Sequence, residues 1–147
     1  MKNRKMLAVA SSGGHWIQLR KLSKLFESYN TRFITTDKSQ KSQEIYIVKD
    51  SNLNQKFSLI LTAIQVFYVI VRFRPHYIIT TGAAPGFLAL VFGRMLGCKT
   101  IWIDSIANAD ELSLAGKKAG RWANLWLTQW PELENKDSKL FFKGSVI

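Results

Sequence analysis

The chain has 147 residues, 47% of them hydrophobic, and its 21 Lys and Arg against 10 Asp and Glu give a formal net charge of +11. This length fits one domain with a substantial core and is too short for two, and the apolar share excludes a disordered chain. A single cysteine, Cys98, excludes an intramolecular disulfide framework and a multi-thiolate metal site.

The excess charge is uneven: residues 1–100 hold 15 basic and 4 acidic side chains, and residues 101–147 hold six of each. A positive field on one part of a fold suits an anionic partner such as a membrane surface, a phosphorylated lipid or nucleic acid, or else it only solubilises. Met1-Lys2-Asn3-Arg4-Lys5 is basic, but the apolar run after it is only a strand in length. That is too short for a signal-peptide core, so the expected location is cytoplasmic.

In chain order, Leu7-Ala8-Val9-Ala10 runs into Ser11-Ser12-Gly13-Gly14-His15, the pattern of a buried parallel strand feeding a helix through a tight turn. The glycines allow positive φ and close approach to a ligand. Ser11 or Ser12 is placed to cap the helix, and a helix N-terminus suits phosphate. A sharp turn with no ligand is the alternative. There is neither a Walker loop nor a G-x-G-x-x-G fingerprint. Trp16, Leu19, Leu22 and Phe26 then recur at helical spacing over 15–26. Arg20, Lys21 and Lys24 share another face, either solvated or a contact for anionic lipid.

Residues 31–36 read as a strand, 37–43 as a polar loop and 44–48 as a short strand, with Asp50-Ser51-Asn52 offering caps for the next helix. Residues 57–71 carry no charge, a run of 15 where a membrane span needs roughly 20. The expectation is a long helix packed on a sheet with an apolar outer side open to lipid, ended by Arg72-Phe73-Arg74-Pro75. A strand at 77–81 meets a second small-residue turn, Gly82-Ala83-Ala84-Pro85-Gly86, and a helix over 87–96 that Gly97 closes. The strand at 99–103 ends on Asp104-Ser105, and Asp104 is either a base or hydroxyl binder or a turn cap. A helix over 114–122, a strand over 124–128 and a strand-like run at 140–147 complete the chain. The order predicts a single α/β domain over 1–147, a Rossmann-like parallel sheet with helices on both faces. Both small-residue turns would then lie at C-terminal strand ends, where ligands bind.

Five segments in this order resemble the Alg fourteen-like family, which includes the PssD-type polysaccharide biosynthesis subunits. They are Ser11-Ser12-Gly13-Gly14-His15, Thr80-Thr81-Gly82-Ala83, Lys99-Thr100-Ile101-Trp102-Ile103-Asp104-Ser105, Thr128-Gln129-Trp130-Pro131-Glu132-Leu133 and Lys143-Gly144-Ser145-Val146-Ile147. The resemblance implies the N-terminal half of a GT-B glycosyltransferase, the fold of the peptidoglycan transferase MurG. This half would bind a polyprenyl-diphosphate-linked acceptor as a peripheral protein on the cytoplasmic face of the membrane, without a span. An Alg thirteen-like catalytic subunit would carry the UDP-sugar donor, and this chain would hold no cofactor or metal. In fused relatives the segment like Gly144-Ser145-Val146-Ile147 leads into the donor domain, so here the donor half is expected on another chain.

The resemblance also implies roles. Ser11, Ser12, Gly13 and Gly14 would face the acceptor diphosphate, with Gly82, Ala83 and Ala84 as a second wall. His15 or Asp104 would be the base of an inverting transfer. Ser105 and Asn108 would lie beside the acceptor sugar. Asp104 stands where relatives commonly have Glu, and Asn108 where many PssD-type members have Arg, and these departures bear on acceptor identity. Gln129, Trp130, Glu132 and Gly144 would form the partner interface. Arg20, Lys21 and Lys24, with the apolar side of 57–71, would dock on anionic lipid. The competing readings are a non-catalytic membrane anchor, a stand-alone nucleotide enzyme and a nucleic-acid binder. The last rests on charge alone, so no nucleic-acid partner is expected.

Overall fold

The structure, a computed structural model, describes residues 3–52 and 54–146. The basic start at Met1 and Lys2, and Ile147 at the end of the strand-like run, lie outside the described residues.

The strands are β1 (Lys5–Ala10), β2 (Asn30–Thr35), β3 (Ile45–Ile47), β4 (Tyr77–Gly82), β5 (Lys99–Ile103), β6 (Leu125–Thr128) and β7 (Leu140–Phe142). They form one sheet in the order β3-β2-β1-β4-β5-β6-β7, with every neighbouring pair parallel. The helices are α1 (Gly14–Arg20), α2 (Ser23–Phe26), α3 (Lys56–Phe73), α4 (Ala83–Met95) and α5 (Leu114–Ala119).

The period-2 alternation of β1 sorts the helices onto two faces. Met6, Ala8 and Ala10 pack with Trp16, Leu19 and Phe26 of α1 and α2. Leu7 and Val9 pack with Val66, Val69, Ile70 and Phe73 of α3 and Ala89 of α4. Beside α4, Ala115 and Ala119 of α5 close over Trp102. Leu7, Ile34 and Ile78 are fully buried, each contributing about 1.5–3 kcal/mol of hydrophobic stabilisation. The expected Rossmann-like sheet with helices on both faces is what forms.

Some local expectations differ. The helix expected over 15–26 breaks after Arg20, because the Leu22 N–H bonds the Leu19 carbonyl (3.0 Å) in a tightened turn. Asp50, Ser51 and Asn52 do not cap α3, whose N-cap is Gln55. Ser51 Oγ pairs with Thr62 Oγ1 (2.9 Å) instead. α4 starts at Ala83, four residues before the expected start.

By length and composition α3 alone among the described helices could cross a membrane. Its inner side is core, and its outer side leaves Phe57 91%, Ile64 61% and Tyr68 62% exposed.

Cys98 is buried beneath this layer, where burial pushes the thiol above its usual range and Sγ donates to the Pro75 carbonyl (3.2 Å). Native protein is therefore expected to resist a thiol reagent until it is unfolded. Rapid labelling without denaturant would contradict this packing.

Candidate functional site

In the strand order, β1 and β4 are neighbours from which the chain winds outward in opposite directions. Open parallel sheets place their ligand crevice at such a point, beyond the C-terminal strand ends. The two small-residue turns sit there, one after β1 and one after β4.

After β1, Gly13 takes φ +80° and is itself the N-cap of α1, with no side-chain cap, so neither Ser11 nor Ser12 serves that role. The Ser12 N–H donates instead to Thr36 Oγ1 (2.8 Å), tying the turn to the end of β2. Gly13 needs glycine for its left-handed backbone. Gly14 is exposed, and a Cβ there or at Gly13 would meet nothing within 4 Å. The space above this turn is open.

His15 is held from two sides. Thr81 Oγ1 donates to the His15 carbonyl (2.6 Å), and His15 Nδ1 lies 2.9 Å from the Thr81 carbonyl. A carbonyl only accepts, so Nδ1 carries a proton, and in the neutral imidazole Nε2 is then the nitrogen with the lone pair. Among the described residues nothing hydrogen-bonds Nε2. The ring lies so close to Gly82 (φ +127°) that a Cβ there would stand 3.0 Å from Nδ1 and Cε1. Ala83 follows with φ +67°, a strained conformation for a residue with a Cβ. Gly82 and Ala84 are buried, leaving Ala83 as the partly accessible member of the second wall.

For Asp104, expected as a base, a hydroxyl binder or a turn cap, the surroundings favour the structural alternative. Asp104 is 2% exposed. Oδ1 accepts from Ser113 Oγ (2.7 Å) and Trp102 Nε1 (3.1 Å), and Oδ2 from the Ser113 N–H and Asn108 Nδ2, both 3.1 Å. Four donors occupy the carboxylate, so it organises the loop between β5 and α5. Ser113 in turn caps α5 by accepting from the Gly116 N–H (2.9 Å). Ser105 is also buried, its Oγ accepting from Gln18 Nε2 and the Ala107 N–H, both 3.2 Å. Partly accessible Asn108 gives one Nδ2 N–H to Asp104.

Gln129 is 1% exposed and cannot touch a partner directly, contrary to expectation. Its Nε2 donates to Gln18 Oε1 (2.7 Å) and the Asp104 carbonyl (2.9 Å), while Oε1 accepts from the Val146 N–H (2.7 Å). Ser145 Oγ donates to the Gln129 carbonyl (2.7 Å). This amide pair joins the His15 helix, the β5 loop and the C-terminal segment. Gln18 is not among the residues that the sequence points to. Its one sequence signal is a polar side chain i+3 from His15, beside Leu19. Glu132 and Gly144 are exposed, and half-buried Trp130 donates Nε1 to the Ile106 carbonyl (2.8 Å).

Arg20, Lys21 and Lys24 are exposed, with Arg20 lying 5.0 Å from the Phe33 ring centroid and 5.6 Å from that of Trp16. They belong to α1, its end and α2, on the sheet face opposite α3. The three cations and the apolar side of α3 therefore do not form one surface.

The family described as "Oligosaccharide biosynthesis protein Alg14 like" matches residues 6–146. The UDP-N-acetylglucosamine transferase subunit ALG14 of Rattus norvegicus is 25% identical over 181 aligned residues, covering 97% of this chain and 82% of the relative. That of Eremothecium gossypii is 24% identical over 102 residues, covering 61% and 46%. Among solved structures, Acinetobacter baumannii MurG superposes with TM-score 0.76 at 12% identity, covering 96% of this chain and 45% of MurG. A UDP-N-acetylglucosamine 2-epimerase from Rickettsia bellii gives TM-score 0.72 at 13% identity, covering 97% and 45%. The chain thus spans slightly less than half of these structures and shares the fold of one Rossmann-like half of a GT-B enzyme. With the family match running through both turns, the Asp104 loop and the C-terminal segment, the chain belongs to the Alg14-like family of oligosaccharide biosynthesis proteins.

Proposed function

We propose that this chain is the acceptor-binding subunit of a two-chain glycosyltransferase. A polyprenyl-diphosphate-linked sugar would lie in the crevice between the turns after β1 and β4, its diphosphate over Gly13 and Gly14. An Alg thirteen-like subunit would bring the UDP-sugar. UDP-N-acetylglucosamine is the first donor to test, since the ALG14 relatives are named for it. The observation that carries the reading is His15, whose Nδ1 is committed to the Thr81 carbonyl, which leaves Nε2 as the ring nitrogen open to the acceptor.

In the transfer, Nε2 takes the acceptor hydroxyl proton as that oxygen bonds the anomeric carbon. The bond to the donor diphosphate breaks from the opposite side, UDP leaves with the electron pair, and configuration inverts. Thr81 fixes the tautomer and Gly82 the ring position, so the base is oriented before substrate arrives. Asp104 acts at a distance by holding its loop. Glu132, Gly144 and the open edge of Trp130 are the candidate contacts for the catalytic partner. The exposed face of α3 rests on the cytoplasmic side of the membrane, bringing the crevice to its lipid-linked acceptor.

The test is co-expression with the Alg thirteen-like protein, followed by incubation with membranes and labelled UDP-sugars. Label in a polyprenyl-linked product only when both chains are present is expected. Product from the partner alone would reduce this chain to an anchor and remove the role given to His15.

A further inference from the structure

At the end of the sheet remote from His15, a cavity of about 350 Å³ opens beneath the last turns of α3. Lys5, Arg32 and Tyr46 reach it from β1, β2 and β3, and Tyr68, Arg72 and Phe73 from α3. Its walls carry three cations and no acid. Lys5 Nζ spends one donor on the Phe73 carbonyl (3.1 Å), and Arg32 spends one on the Gln43 carbonyl (2.7 Å). Each keeps further N–H groups. The Phe73 ring backs both cations, at 5.4 Å from Lys5 and 5.9 Å from Arg32.

The cavity also borders the apolar side of α3. Tyr68 lines it and, with Ile64, Phe67 and Val71, lines the neighbouring apolar groove. A ligand fitting both surfaces has a phosphate head beside an apolar body. We propose that Lys5, Arg32 and Arg72 form a binding site for the phosphate headgroup of an anionic phospholipid, taken from the bilayer on which α3 rests. Guanidinium groups and tyrosine hydroxyls supply donors matched to phosphate oxygens. Arg20, Lys21 and Lys24, on the opposite sheet face, take no part. The inference rests on the membrane-docking part of the proposed function and adds which cations meet the lipid.

The test is binding of the full chain to phosphatidylcholine vesicles with and without phosphatidylglycerol. Arg32→Gln/Arg72→Gln is expected to weaken binding to the anionic vesicles by about tenfold to thirtyfold, while binding to phosphatidylcholine alone stays unchanged. Arg20→Gln/Lys21→Gln removes the same charge from the far side and is expected to cost less than about threefold. Equal losses from the two pairs, or no loss from the first, would overturn the site. Displacement from anionic vesicles by inorganic phosphate at matched ionic strength would make it a free-anion pocket and overturn the lipid assignment. Ile64→Glu/Phe67→Glu tests docking separately. If that variant binds as wild type, docking through α3 fails; if it alone loses binding, docking stands and the headgroup site falls.

Discussion

His15→Ala is expected to lower the turnover of the assembled transferase by about 10²- to 10⁴-fold, the usual worth of a positioned general base. The fold should barely register the change. The ring is half-buried and makes one hydrogen bond, to the Thr81 carbonyl, and a lost bond of this kind costs about 0.5–1.5 kcal/mol. Because Nε2 acts on the reacting hydroxyl, kcat should fall while KM for the lipid-linked acceptor changes little. Thr81→Val separates positioning from chemistry. It removes the 2.6 Å bond to the His15 carbonyl and leaves the carbonyl that orients Nδ1, so a partial loss is expected. Full activity in His15→Ala would end the base assignment and favour a recruiting role for this chain.

Asp104→Ala should behave in the opposite way. Removing the buried carboxylate leaves the Ser113 hydroxyl and N–H, the Trp102 indole and the Asn108 amide without their acceptor. Unpaired buried donors are costly, and a loss of at least about 3 kcal/mol is expected in urea unfolding. Asp104→Asn should recover little, since its amide N–H₂ would confront donors. Glu in place of Asp104 has no free room either. A Cβ on Gly116 would already collide with Oδ1, so the extra methylene would push α5 away. Activity lost in Asp104→Ala with stability unchanged would return the carboxylate to the chemistry.

The contrast between these residues explains what the sequence made legible. The sheet was readable because its central strands carry uninterrupted apolar runs, and β5 falls on the expected residues 99–103. The crevice was readable because two strands end in small residues, and the topology brings those ends together. For Asp104 the sequence offers both a base and a turn cap and cannot choose between them, because its main partner, Ser113, lies nine residues on across a loop without periodicity. Gln18 and Gln129 are hidden in the sequence for a related reason. An amide in a helix or beside a tryptophan looks like surface until the tertiary fold buries it against a second amide, here 111 residues away. The start of α4 is not legible in the sequence because it depends on Gly82 and on a left-handed Ala83, a conformation that alanine does not signal. The separation of the α1 and α3 surfaces is likewise hidden, because periodicity within a helix does not report which side of the sheet it covers.

On the proposed function, the crevice between the turns after β1 and β4 holds a lipid diphosphate beside the His15 imidazole. Its most direct test is nuclear magnetic resonance of the full chain titrated with a short-prenyl diphosphate-linked N-acetylglucosamine. Saturable shifts at Gly13, Gly14, the His15 ring and Ala83 are expected, with the Nδ1-protonated tautomer retained. Binding that leaves these signals still, or shifts only the signals around Arg32 and Arg72, would place the acceptor elsewhere and remove the role given to His15.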